Sequence, residues 1–168
     1  FLSSPLFTIR SISLIRDYGS PPPLVDEVEL ASRLSWTVGE SIFRLRTTDL
    51  SDELEDEPSV RSAAVETRLD GSLIIRVTHR RPVANWQVGE QTFLVDETAT
   101  LLTAGSDPAL ALTIHDLETR EPDIGDIVNL TALEAAYILD QNLPLLDLEP
   151  LHITHSGPAG ITVTTVDG

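Results

Sequence analysis

The chain has 168 residues, of which 41% are hydrophobic and 23% are charged, and its formal net charge is -16 at pH 7. Apolar content of this size excludes intrinsic disorder and allows the chain to bury one core or two small ones. The negative charge repels phosphate backbones and anionic lipid headgroups, so nucleic acid is a poor candidate for a partner. The chain has no cysteine, which excludes disulfides, thiolate metal ligands and a cysteine nucleophile.

The charge of the chain changes sharply at Arg81-Pro82. Up to Arg81 there are ten arginines and thirteen acidic residues, whereas beyond it a single arginine, Arg120, accompanies fourteen acidic residues. A break of this kind predicts a domain boundary, with one domain over 1–81 and a second over 82–168.

Both ends of the chain have the pattern of cut ends. The first residues, FLSSPLF, contain no methionine and no basic flank, and the last run, TTVDG, stops where a strand would normally turn. We therefore expect a piece of a longer protein. No stretch reaches the roughly 20 apolar residues that are needed to cross a bilayer.

The first half predicts the order strand, helix, helix, strand, strand. The predicted elements are a strand over 7–15, a helix over 24–34, a helix ending near 55, and strands over 60–69 and 72–78. We expect Thr48 or Asp49 to cap the second helix, and Leu50 and Leu54 to form its buried side. Asp70-Gly71 is a strong hairpin signal between the last two strands.

The second half predicts short strands that are separated by turns. They cover 83–88, 92–95, 99–103 and 110–114, and their spacing is typical of an antiparallel meander. A helix is expected over 131–142, with Thr131 as its cap and Glu134 completing a capping box. Two further strands, over 151–154 and 161–166, flank the turn Gly157-Pro158.

Residues that could carry chemistry are few. His152 and His155 lie three apart on a predicted strand, so they point to opposite faces and cannot chelate one metal together. The acidic run 52–57 falls at a solvated helix end, where no carboxylate is desolvated for acid–base work. There is no glycine-rich phosphate loop and no nucleophile elbow. We therefore predict no catalytic residue, no cofactor site and no metal ligand.

A small basic cluster, His79, Arg80 and Arg81, ends the second strand of the hairpin. It could bind an acidic partner, or it could pair with nearby carboxylates across the domain junction. The second alternative is favoured, because exposed arginines close to acidic residues are commonplace.

Four stretches in this order resemble the POTRA domain of the FtsQ/DivIB cell-division family. They are FTIRSISL from Phe7, GESIFRL from Gly39, DLSDEL followed by PSV from Asp49, and SAAVETRLDGSLIIRVTHRRPVANW from Ser62 to Trp86. The last of them ends in the family signature of Arg-x-Pro-Val-Ala-x-Trp. The chain departs from the family pattern at three positions: His79 replaces a usual Glu, Gly71 a common Pro, and Ala99 a common Gly.

The resemblance implies an α+β fold, with a POTRA-type β-α-α-β-β domain followed by a mainly antiparallel β domain with one helix, truncated at its C-terminus. It implies a single transmembrane helix before Phe1 and a location outside the cytoplasmic membrane. It also implies a non-catalytic divisome scaffold for septum formation, which holds FtsB- and FtsL-type partners. The family accepts a partner strand at the edge of its last β strands, and main-chain bonds at such an edge give affinity. The candidate partner-binding residues are Ile161, Val163, Thr165, Arg80 and Arg81.

Two alternatives remain open from the sequence. One is a POTRA module of an outer-membrane assembly or secretion protein, which would normally occur as tandem copies before a barrel. The other is a metal- or carboxylate-dependent hydrolase in the acidic second half, which would require desolvated acidic residues or a bound ion.

Overall fold

A computed structural model describes residues 7–117, 120–146, 150–157 and 160–165 of the chain. The chain divides into two compact units, Phe1–Arg80 and Arg81–Gly168. Both units combine helices with a sheet, so the protein is α+β, as predicted. None of the helices in the described ranges is long and apolar enough to cross a membrane.

The first unit has the predicted order β-α-α-β-β. Its elements are β1 (Ser11–Arg16), α1 (Glu27–Ser32), α2 (Thr47–Glu55), β2 (Val60–Thr67) and β3 (Ser72–His79). The sheet order is β1-β3-β2, with β1 parallel and β2 antiparallel to β3. The core packs α1 and α2 on one face of this sheet, through Leu30, Leu34, Leu50, Leu54, Leu73, Ile75 and Val77.

The hairpin between β2 and β3 turns at Asp70-Gly71, as predicted. Gly71 has a φ of 85°, and a Cβ at this position would lie 2.5 Å from the carbonyl oxygen of Thr8. Asp70 Oδ1 accepts the backbone N–H of Ser72 at 2.9 Å. Hydrogen bonds from the side chain and backbone of Ser72 hold the pKa of Asp70 below its ordinary value. The turn therefore requires glycine for two reasons, its backbone conformation and the close approach of the chain at Thr8.

Three details of the first unit differ from prediction. β1 begins at Ser11, because Ile9 instead exchanges backbone hydrogen bonds with Gly39 and Glu40, at 2.9 Å each. α1 begins at Glu27 rather than at residue 24, because the Asp26 side chain caps it there, accepting the N–H of Val28 at 2.8 Å. The N-cap of α2 is Arg46, without a side-chain hydrogen bond, so the capping roles predicted for Thr48 and Asp49 are wrong.

The second unit is a six-stranded sheet that is covered by one long helix. Its elements are β4 (Pro82–Val88), β5 (Gln91–Asp96), β6 (Leu101–Ala104), β7 (Thr113–Asp116), α3 (Leu130–Asn142), β8 (Pro150–Ser156) and β9 (Gly160–Thr165). The strand order is β6-β5-β4-β7-β8-β9. Val166 and Pro158, which belong to the predicted last strand and its preceding turn, lie outside the described residues.

The predicted antiparallel meander extends only through β4, β5 and β6. β7 pairs parallel with β4, β8 pairs parallel with β7, and β9 returns antiparallel to β8. The buried amide of Asn85 in β4 helps to hold the segment that precedes β7. Its Nδ2 donates to the Asp107 carbonyl at 3.1 Å, and its Oδ1 accepts the Asp107 N–H at 2.9 Å. The two residues that make this contact are far apart in the sequence, so the local alternation of apolar and polar residues could not predict it.

The core of the second unit lies between α3 and one face of the sheet. Trp86 is fully buried there. The other buried members include Ala84, Val88, Phe93, Val95, Leu101, Ile114, Leu133, Ala136 and Ile153. The cap of α3 is Asn129, whose Oδ1 accepts the N–H of Ala132 at 2.9 Å, so the predicted Thr131 cap is wrong.

Candidate functional site

The predicted partner-binding residues Ile161, Val163 and Thr165 all lie in β9, the outermost strand of the second sheet. β9 pairs with β8 on one side, and no strand among the described residues pairs with its other side. Ile161 and Val163 are partly buried and pack against the core. The exposed side chains are those of the alternate positions, Thr162 and Thr164. An incoming chain would therefore meet backbone N–H and C=O groups first.

The opposite edge of the same sheet is covered at its start by the chain itself. Near β6, the Leu101 N–H donates to the Asp126 carbonyl at 2.9 Å, and the Leu101 carbonyl accepts the Gly125 N–H at 2.8 Å. The Ala99 carbonyl accepts the N–H of Val128 at 2.9 Å. These bonds occupy main-chain groups that a partner strand would need. β9 therefore offers the more accessible edge of this sheet.

The two predicted arginines lie in different units of the chain. Arg80 belongs to the first unit, where its N–H donates to the Ser59 carbonyl at 2.8 Å and its Nε to the Val60 carbonyl at 3.4 Å. Arg81 precedes β4 in the second unit, and β7 and β8 lie between β4 and β9. That separation is roughly 14 Å, from three strand spacings of about 4.8 Å.

His79 is a buried residue, so it does not extend an exposed basic cluster. Its Nε2 lies 3.3 Å from Glu27 Oε1. Because a carboxylate only accepts, Nε2 carries the proton. His79 Nδ1 is buried and has no hydrogen-bond partner. His79 thus pairs with a carboxylate, as favoured from the sequence, but the carboxylate lies in its own unit.

The same carboxylate is held by Arg16 in a two-pronged contact. Arg16 Nε and Nη2 donate to the two oxygens of Glu27 at 3.1 Å each. The Arg16 guanidinium lowers the pKa of Glu27 below its ordinary value, partial burial opposes this shift, and His79 reinforces it. The network joins the end of β1 to the first turn of α1 and to the end of β3. Its role is therefore to stabilise the fold.

A buried carboxylate–histidine pair is the feature of the second unit that most resembles a catalytic site. His155 Nδ1 lies 3.0 Å from Asp116 Oδ1, and Asp116 Oδ2 accepts the indole N–H of Trp86 at 3.1 Å. His155 Nε2 lies 3.4 Å from the Asn129 amide nitrogen. Since Asn129 Oδ1 caps α3, its nitrogen faces His155 as a donor and Nε2 accepts.

This geometry does not suit nucleophilic catalysis. A histidine base must turn its second ring nitrogen to a serine, a water or a substrate, whereas Nε2 here is occupied by Asn129. The pair instead holds β7, β8 and the start of α3 together. The sequence patterns did not single out Asp116, although its position two residues after Ile114 places it on the same, core-facing side of the strand.

The remaining histidines do not form a metal site with these groups. His155 is buried, whereas His152 is exposed and lies edge-on to His115, with ring centroids 5.4 Å apart. His152 and His155 therefore face different environments, as expected from their spacing. Across the described ranges, no group of three or more His, Asp or Glu side chains is placed to hold a metal ion.

Comparison with curated proteins finds one recurrent similarity. The chain is 31% identical over 84 residues to "Cell division protein FtsQ" of Rickettsia typhi. It is 30% identical over 84 residues to each of the proteins of that name from Rickettsia bellii and Rickettsia felis. No protein-family model matches the chain. Each alignment covers 50% of this chain and 32% of the relative, so over half of its length the chain is similar to about a third of an FtsQ cell-division protein.

Proposed function

We propose that the chain is the extracytoplasmic part of a non-catalytic cell-division scaffold of the FtsQ/DivIB type, which acts in septum formation. The main support for this proposal is the similarity to FtsQ proteins over 84 residues. The β-α-α-β-β order of the first unit supports the same proposal, since the POTRA domain has this order. In this proposal residues 1–81 are a POTRA domain, and residues 82–168 are a β domain of the FtsQ/DivIB type, truncated at its C-terminus.

The proposed location is the outer face of the cytoplasmic membrane, with the full-length protein anchored by one membrane-spanning helix before Phe1. This part of the proposal rests on the resemblance to the FtsQ/DivIB family. A scaffold of this kind recruits protein partners rather than a small-molecule substrate, and here they are proteins of the FtsB and FtsL type.

The proposed binding mode is the addition of a partner strand to β9. Its outer side pairs with no described strand, whereas the start of the opposite edge is occupied by bonds from residues 125–128. Because Ile161 and Val163 pack inward, the backbone of β9 supplies the affinity, and the exposed Thr162 and Thr164 flank the incoming strand. Arg80 and Arg81 remain separate candidates for contacts with an acidic partner.

The absence of catalysis is part of the proposal and has a geometric basis. The carboxylate–histidine pair Asp116–His155 has its outer ring nitrogen occupied by Asn129, and it supports the fold around Trp86. A hydrolase that used His155 as its general base would need that nitrogen to face a nucleophile or a water.

The proposal is tested by labelling the intact protein in its native host and imaging dividing cells. Enrichment at the septum is expected, together with fractionation in the cytoplasmic membrane. Uniform distribution around the envelope would contradict the division role. Fractionation with the outer membrane would favour an assembly or secretion module instead.

A further inference from the structure

The carboxyl ends of three adjacent parallel strands meet at one end of the second sheet. β4 ends at Val88, β7 at Asp116 and β8 at Ser156, and the cap of α3, Asn129, lies beside His155 at this end. Concave sites commonly form where parallel strands end, because the chain must leave the sheet there in loops. Two clefts open at this place, with volumes of about 530 Å³ and 170 Å³.

The two clefts adjoin, since Val88 and Asp116 line both of them. We call them together the carboxyl-end cleft. No residue of β9 lines either part, so the cleft is distinct from the strand edge proposed above.

The lining of the carboxyl-end cleft is strongly acidic. Glu90, Asp116 and Glu121 line the larger part. The smaller part adds Asp126, with Arg120 as its basic residue, and these two pair at 3.5 Å between Nη2 and Oδ2. Carboxylates therefore outnumber cations, and a cationic group approaching the cleft is attracted.

The cleft also presents exposed aliphatic side chains. Leu117 lines the larger part and is 64% exposed, and Ile127 lines the smaller part and is 74% exposed. Aliphatic groups of a partner that covered these two side chains would remove apolar surface from water. A small cation alone would leave both of them in water.

We propose that the carboxyl-end cleft binds a partner protein through a short segment in which Arg or Lys alternates with Leu or Ile. The basic groups meet Glu90 and Glu121, while the aliphatic groups cover Leu117 and Ile127. The attraction between exposed charges is screened by salt, whereas burial of aliphatic surface is not, so affinity falls with ionic strength without vanishing. This inference does not depend on the division role.

The test uses the whole chain and a synthetic probe, the peptide acetyl-Leu-Arg-Leu-Arg-Leu-Arg-amide. Trp86 reports directly on the site, because its indole N–H donates to Asp116, and the indole of Trp36 in the first unit is the internal control. In a ¹H–¹⁵N spectrum, the peptide is expected to shift the Trp86 indole signal and leave that of Trp36 in place. A peptide with Glu for Arg should give no shift, and one with Ser for Leu should bind about tenfold more weakly.

Paired substitutions distinguish the cleft from general attraction to an acidic chain. The double variant Leu117→Ser, Glu121→Gln is expected to bind the peptide about tenfold more weakly. Ile138→Ser with Glu134→Gln removes the same kinds of exposed side chain from α3 and should leave affinity unchanged. Equal loss in both double variants, or equal binding of the Ser-containing peptide, would overturn the proposal. Unchanged unfolding midpoints confirm that both variants remain folded.

Discussion

Ala99 has a φ of 62°, a left-handed conformation that glycine adopts more easily than any residue with a side chain. The turn around it is held by Asp96, whose Oδ1 accepts the N–H of Thr98 at 2.9 Å, its hydroxyl at 2.7 Å and the N–H of Thr100 at 3.0 Å. The methyl group of Ala99 is fully buried in the core of the second unit. Backbone strain and methyl burial therefore oppose each other at this residue.

We predict that Ala99→Gly changes the free energy of unfolding by less than about 1 kcal/mol, because relief of the left-handed conformation offsets the lost methyl group. Ala84→Gly is the matched control, since Ala84 is equally buried but lies in β4. It should destabilise by about 1–2 kcal/mol, through the lost methyl group and the flexibility of glycine. Urea titrations of both variants measure the difference. Equal destabilisation would show that Ala99 carries no strain.

Glu27 makes stability depend on pH in the acid range. Because its pKa in the folded state is lowered by Arg16, its contribution is present above the ordinary glutamate pKa of about 4.3 and is lost as the pH falls below it. We predict that Glu27→Gln flattens the loss of stability between about pH 5 and pH 3. Glu29→Gln, which removes an exposed carboxylate from the same helix, is the control. Thermal melts across this pH range measure the effect. If stability fell with pH as steeply in both variants as in the wild type, the assignment of this pH dependence to Glu27 would be contradicted.

At the level of elements, neighbouring residues in the sequence were enough to predict the β2–β3 hairpin. The strand pairings that were not predicted depend on contacts between residues far apart in the sequence. The β2–β3 turn follows from Asp70-Gly71 alone, and Leu50 and Leu54 are buried as their spacing indicated. The position of β7 beside β4 is supported instead by hydrogen bonds from Asn85 to Asp107 and Thr113, which lie 22 and 28 residues away in the chain. The pairing of Asp116 with His155 likewise exists only once β7 and β8 are in register. The edge position of β9 became evident from the strand order.

The stability cost of losing a helix cap can be compared at two residues at the start of α3, Asn129 and Thr131. Asn129→Ala removes both the cap at Ala132 and the amide that faces His155 Nε2, so it should destabilise by about 1–3 kcal/mol. Thr131→Ala, at the cap position expected from the sequence, should cost less than about 0.5 kcal/mol because Thr131 is exposed. Guanidinium titrations of the two variants check this. An equal loss of stability in both variants would contradict the assignment of Asn129 as the cap.

At the level of the whole molecule, each unit has its own core, and most of the net negative charge lies in the second, where two arginines accompany fourteen acidic residues. Residue patterns were sufficient to suggest the FtsQ/DivIB family, and curated FtsQ proteins align over 84 residues. Composition could not locate a binding surface, because a strand edge and a cleft arise only when distant segments assemble. The central proposal is therefore that the second unit serves as a scaffold through the edge at β9.

The most direct test replaces single residues of β9 by proline in the full-length protein and measures binding to the proposed FtsB-type partner by co-purification. Consecutive N–H groups of a strand point to opposite sides, so of Thr162→Pro and Val163→Pro one removes an N–H directed towards β8 and the other an N–H directed outward. Thr162→Ala and Val163→Ala keep the N–H and serve as controls. We expect the outward-directed proline to abolish binding while the protein stays folded and its alanine control still binds. A folded protein that retains full binding with both prolines would contradict strand addition at β9.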